Sequence, residues 1–313
     1  MHTKFLMGSD PELMLLDGNN KLRSAIPVIP EGKGKGRPVK NGAVLHDNVL
    51  VEFNTTPAAT EDEFVNGLRD VLGELSQLIS QQSCQLDVRA SAVYPADQLE
   101  AEEANIFGCD PDYDAWLLAM NEPPNPFLVG GLRSAGGHLH IGKADDAKIA
   151  AVLDTIYGKT AVIRALDVFC SLPWALLEND AAARRRRKLY GKAGAHRPKP
   201  YGVEYRALSS HWLTSPEHAR LVYRLAAFGV ELVCEDGVDQ VETSEGQGSQ
   251  RFQELVTRLG GGDEIVRIIN EIDVVAAERA YNEVLTTVLP APLQATFTAC
   301  RLLQANFQQA WGL

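Results

Sequence analysis

A nine-residue run, YGVEYRALS at residues 201–209, constrains this chain more than any other stretch, because it reads as a strand with one charged face. Tyr205 and the short apolar residues favour extended backbone, and period-two alternation sets Glu204 and Arg206 on the same side. A lone buried acid there would be costly. A carboxylate and a guanidinium two residues apart suit a metal-bound triphosphate, the acid holding a divalent cation and the arginine forking onto phosphate oxygens; the alternative is an internal salt bridge. Upstream, Arg197 and Lys199 add positive charge, while Gly191, Gly194 and Gly202 permit a backbone that approaches a ligand closely. The wider stretch, residues 184–212, opens with RRRRK, which reads either as a solvated helix end or as a group facing phosphate or substrate.

At 313 residues the chain can bury a substantial core in one large domain or two ordinary ones. Hydrophobic residues at 45% and charged residues at 23% are those of a soluble globular protein, and no run approaches the ~18 apolar residues of a membrane span. The opening MHTKFLMGSDPE lacks the apolar core and cleavage pattern of a secretory signal, so a cytoplasmic protein is expected. A net charge of −11 opposes general affinity for nucleic acid. Five scattered cysteines, odd in number and never in C-x-x-C, point to neither a zinc site nor a disulfide framework; they are expected reduced and mostly buried.

Other segments supply candidate partners. Residues 4–16 read as two short strand pieces interrupted at residues 8–11, with Asp10 and Glu12 on one side. Residues 42–54 read as two strands around a His46-Asp47-Asn48 turn, leaving Glu52 and Asn54 either in solvent or in a polar cleft. In SAGGHLHIG, residues 134–142, His138 and His140 share a face, as metal or phosphate contacts or as hydrogen-bonded sheet histidines. EGKGKGRP at residues 31–38 does not fit a P-loop and reads as an exposed mobile loop, with a lysine-bearing lid the alternative.

The remaining segments read as support. Thr60 with Glu63 forms a capping box ahead of a core helix through Ile79. Residues 84–94 read as one strand with Asp87 and Arg89 on its polar face, and residues 145–170 as a helix. Residues 95–132 are irregular, with an Asp110-Pro111-Asp112 turn and with Tyr113 and Trp116 as candidate pocket residues. Ser215-Pro216 starts a further helix, and the carboxyl-terminal third reads as a helical layer.

Asp10, Glu12, Glu52, Glu204 and one of His138 and His140 make a hard-oxygen set with one imidazole, which favours Mg2+ or Mn2+ over zinc. So many acids in one cleft require two or more cations. Arg197 and Arg206 would then meet the phosphates, as phosphoryl transfer from ATP requires.

The motifs GSDPE (8–12), VEFNTTP (51–57), GGHLHIG (136–142) and YGVEYRALS (201–209) stand in the order seen in carboxylate-amine ligases of the glutamine synthetase and glutamate-cysteine ligase superfamily. The chain most resembles the type-2 amidoligases found largely in phages and bacteria. The resemblance covers about residues 5–215 and implies an α+β fold: a curved, largely antiparallel sheet with helices on its outer face. It implies a single catalytic domain over 1–313, with a site-bearing sheet region to about 214 and a helical layer from about 215. By motif position, Glu12, Glu52 and Glu204 look like metal ligands, joined by Asp10 and by His138, with His140 as a substitute. Arg206 and Arg197 look like phosphate and acyl-phosphate clamps, and Lys199 and His140 join them as ATP contacts. The sequence departs from the better-known ligases in having Asp10-Pro11 where those have glutamates.

The activity implied is ATP-dependent amide formation through an acyl phosphate, from small-molecule or peptide carboxylate and amine substrates, with neither nucleic acid nor membrane as a partner and a homo-oligomer left open. Three other readings remain: a guanidino-kinase-like phosphotransferase, a non-catalytic phage or structural protein retaining the cleft, and a metal-dependent hydrolase built on His138 and His140.

Overall fold

A computed structural model describes residues 2–106, 112–122 and 130–313. Asp110 and Pro111 of the Asp110-Pro111-Asp112 turn, Cys109 and most of the proline-rich run at 121–127 lie outside the described residues. In chain order the strands are β1 (His2–Leu16), β2 (Leu22–Arg23), β3 (Arg37–Val39), β4 (Gly42–Asp47), β5 (Leu50–Thr55), β6 (Ala58–Thr60), β7 (Gln85–Asp87) and β8 (Ser91–Val93). They continue with β9 (Tyr113–Asp114), β10 (Ala119–Met120), β11 (Leu132–Ser134), β12 (Gly137–Gly142), β13 (Ala195–Lys199) and β14 (Gly202–Tyr205). Twelve form one sheet, ordered β10-β9-β13-β14-β12-β1-β5-β4-β3 with β2, β6 and β7 also on β1; β8 and β11 pair separately. The described pairings are antiparallel.

Alternation divides the sheet into an apolar and a polar face. Phe5, Met7, Leu13 and Leu15 of β1, Val51 and Phe53 of β5, Leu139 and Ile141 of β12, and Val203 and Tyr205 of β14 enter the main buried cluster beneath the helices. The intervening residues Asp10, Glu12, Glu52, His138, His140, Glu204 and Arg206 are left on the other face. The helix Glu61–Ser80 begins at the expected capping box and buries Phe64, Leu68, Val71, Leu72, Leu75 and Ile79. At roughly 1.5–3 kcal/mol for each large apolar side chain, that stripe contributes on the order of 10 kcal/mol. Ser215 caps the helix Pro216–Val233, also as expected. Among the described residues no helix is long and apolar enough to cross a membrane. Cys84, Cys170, Cys234 and Cys300 are free and buried.

Three local expectations change. Residues 2–16 form one continuous strand, not two pieces. Pro11 is tolerated because β6 pairs with β1 as far as Met7 and β5 takes over at Glu12, so its missing N–H falls in the gap between them. Residues 84–94 split into β7, on β1, and β8, on β11, as the chain passes from one sheet to the other; Asp87 and Arg89 form an ion pair. The helical stretch after residue 145 breaks at Thr155, whose hydroxyl accepts from the Gly158 amide at 2.9 Å and starts a new helix, Ile156–Leu166.

Candidate active site

The register brings the charged residues into adjacent rows. Asp10 lies opposite His138, Glu12 opposite Glu52, and Glu204 stands between His140 on β12 and Arg197 on β13. All five strands therefore deliver side chains to one cavity of about 240 Å³, lined by Asp10, Glu12, Glu52, His138, Arg197, Lys199, Glu204 and Arg206 among others. His140 stands beside it, with its Nε2 3.0 Å from Asp10 Oδ2.

Within the cavity the acids fall into two groups. Ligand atoms of Asp10, His138 and Glu204 all lie within 4.8 Å of one another, as do those of Glu12, Asp47 and Glu52. The first group is surrounded by cations. Glu204 is buried, with Oε1 against Arg206 Nη1 and 3.5 Å from Arg197 Nη1, and Oε2 2.9 Å from Lys199 Nζ. The internal salt bridge considered for Glu204 is thus present, in the same place as a candidate ligand set. The second group has the opposite character: it is predominantly acidic, with Lys33 Nζ 3.4 Å from Asp47, and Glu12 Oε2 accepts from the Gly136 amide at 2.6 Å.

This division shows in the protonation equilibria. Burial would raise the Glu204 carboxyl, but His138 and Arg206 pull it down to about 2. Burial acts on Asp10 in the same sense, and the rings of His138 and His140 hold it well below the ordinary carboxylate range. Burial and the Arg206 charge lower His138 to about 4. In the other group, burial and the Asp47 charge push Glu12 up to about 7, and burial with the charges of Asp10 and Glu12 raises Glu52 well above the ordinary carboxylate range. Glu12 and Glu52, which resist ionising beside one another and beside Asp47, are what a divalent ion on oxygen ligands would relieve.

Unpartnered polar atoms fit both a cation and an anion here. Asp10 Oδ1 and His140 Nε2 are buried without a well-formed hydrogen bond, and so are Arg197 Nε and Nη2 and Arg206 Nε. Two buried guanidinium groups with donors to spare match the oxygen-rich edge of a phosphate.

Over residues 132–247 the chain matches the family model described as phage phiEco32-like COOH.NH2 ligase-type 2. The ligase-family likeness read in the sequence is borne out over that span, which carries His138, His140, Arg197, Lys199, Glu204 and Arg206; Asp10, Glu12 and Glu52 lie upstream of it. No curated protein matches the chain. Among solved structures, a "novel glutamine synthase homolog" is similar at 13% identity and a TM-score of 0.38, over 96% of this chain and 70% of that one. A bifunctional glutathione synthetase from Pasteurella multocida is similar at 10% identity and a TM-score of 0.42, over 99% of this chain. The present chain spans 51% of the length of that synthetase.

Several residues of the site were not singled out from the sequence. Asp47, read as part of a turn, is the last residue of β4; Leu45 pairs with Glu52, so Asp47 shares the polar face. Lys33 reaches the cavity from the glycine-lysine loop. Arg186, hidden in the basic run, is buried and donates to the carbonyls of Ala135, Arg206, Ala207 and Leu208 at 2.7–3.2 Å. It ties the start of β12 to the end of β14. Tyr113 and Trp116, read as candidate pocket residues, do not line the cavity: Trp116 donates to Asp167 at 2.7 Å, and Tyr113 packs against His196.

Proposed function

We propose that the cavity catalyses ATP-dependent condensation of a carboxylate with an amine. The observation that carries this reading is the pairing, in one concavity, of two carboxylate clusters with two buried arginines that keep unused donors. Asp10, His138 and Glu204 would hold one divalent ion and Glu12, Asp47 and Glu52 a second; when bound, such ions neutralise phosphate charge and make the transferring phosphorus more electrophilic.

The chain's own groups then have separate tasks. Arg197 and Arg206 orient the triphosphate and stabilise the charge on the transferring phosphoryl group. A substrate carboxylate oxygen attacks the γ-phosphorus, releasing ADP and leaving an acyl phosphate. The same arginines draw charge from that phosphate as the amine nitrogen attacks the carbonyl carbon; phosphate departs, and the amine loses a proton to give the amide. Lys199 and Arg186 keep the phosphate side of the cavity positive, and the Gly136 amide fixes the Glu12 carboxylate.

The test is a magnesium-dependent ATP-turnover screen against pools of amino acids, polyamines and peptides, with mass detection of condensed product. Product whose mass equals acid plus amine minus water is expected, with ADP release abolished by Glu204→Gln. ADP release that needs no amine would instead favour the phosphotransferase, and no nucleotide binding in calorimetry with magnesium would favour a non-catalytic protein.

A further inference from the structure

We infer that Tyr201 is a positioning residue for the first carboxylate cluster, acting through His140. The inference rests on the metal-binding part of the proposed function and adds a residue to it. Tyr201 lies in the turn joining β13 to β14, and that turn is anchored on three sides. Its carbonyl accepts from the Lys143 amide at 2.9 Å, and the Lys199 carbonyl accepts from Lys159 Nζ at 3.0 Å. Gly202 closes the turn at φ +153°, where a Cβ would stand 2.0 Å from the Ile141 carbonyl oxygen. These contacts fix the backbone from which the Tyr201 side chain projects.

The Tyr201 hydroxyl lies 2.5 Å from His140 Nδ1, with the ring tilted 39° to the imidazole at a centroid separation of 6.0 Å. On the far side of the imidazole, Nε2 faces Asp10 Oδ2 at 3.0 Å, and Asp10 Oδ1 lies 3.3 Å from His138 Nδ1 within the cluster. An imidazole can turn over about its Cβ–Cγ bond, exchanging each nitrogen for a carbon. With Nδ1 bound to the phenol, that turn is disfavoured and Nε2 stays 3.0 Å from Asp10 Oδ2, a charge contact without well-formed hydrogen-bond geometry. Tyr201, His140 and Asp10 thus form a chain in which the outermost group sets the orientation of a ligand it does not touch.

A role in packing alone does not account for this contact. Tyr201 is 43% exposed, so removing its hydroxyl withdraws little from the core. The experiment is Mn2+ binding, by calorimetry and by the electron paramagnetic resonance spectrum of the bound ion, for wild type, Tyr201→Phe, His140→Gln and the double variant. Tyr201→Phe should melt within about 1 °C of wild type yet bind Mn2+ roughly tenfold more weakly, with an altered spectrum. The double variant should be no weaker than His140→Gln alone, since both changes break one chain. Wild type that binds Mn2+ together with a Tyr201→Phe variant of equal affinity and spectrum overturns this inference alone. Wild type that binds no Mn2+ overturns it together with the metal-binding reading.

Discussion

Replacing Glu204 by Gln tests the electrostatics of the cavity without any substrate. The carboxylate is the shared counter-ion of Arg197, Lys199 and Arg206, and its fall from 4.5 to about 2, drawn by His138 first and then by Arg206 and Arg197, corresponds to about 3 kcal/mol of preference for the charged form in the folded protein. Because the folded value is depressed, this contribution is complete above the unfolded value near 4.5 and is lost as pH falls from there toward about 2. A glutamine keeps one acceptor oxygen but presents an amide donor to groups that are themselves donors. Metal-free Glu204→Gln at pH 7.5 should therefore lose about 3 kcal/mol, which for a chain of this length lowers the melting temperature by about 5 °C. Thermal unfolding in chelator, followed by circular dichroism, measures this. The difference between variant and wild type should shrink as the pH is taken below 4.5. A variant melting within about 1 °C of wild type, or a difference independent of pH, would refute the view that one buried charge balances the three cations.

Asp47→Asn should lower the Mn2+ stoichiometry from two ions to one in calorimetry, while the metal-free melting temperature does not fall, because Asp47 raises both Glu12 and Glu52. With Glu12 at about 7 and Glu52 also raised, an ion entering the second cluster must displace protons, so Mn2+ affinity there should rise between pH 6 and 8. Comparing binding heats in buffers of different ionisation enthalpy counts the protons released; none released at pH 6.5 would contradict the assignment. Gly202→Ala places a Cβ 2.0 Å from the Ile141 carbonyl oxygen and should cost about 1–3 kcal/mol. Hydrogen exchange should quicken along the β12 and β14 ladder.

Much of the polar face was legible because alternation needs only local information: Glu204 with Arg206, His138 with His140 and Asp10 with Glu12 each fall together from spacing alone. The Thr60 and Glu63 cap is local in the same way. Register is not local. Nothing in residues 42–55 tells that Leu45 pairs with Glu52, so Asp47 passed as a turn residue when it closes the second cluster. Nor does a run of four arginines tell which one turns inward; Arg186 is the buried member because Ala135 and residues 206–208 offer it carbonyls. Gly8 to Pro11 looks like a break in isolation and is continuous strand only because β5 and β6 flank it without requiring the proline's missing donor.

The central place of β1 bears on how the molecule assembles. Glu12 and the amide that holds it are 124 residues apart, and the strand bearing Arg197 is synthesised later still. The earliest-made strand of the sheet must therefore wait, unpaired along one flank, until residues 137–142 have left the ribosome. Loop closure over such distances is slow, and an apolar strand edge left open meanwhile invites contact between nascent chains. Slow translation or chaperone capture between residues 16 and 137 should thus govern the yield of folded protein more than any single contact in the finished cavity.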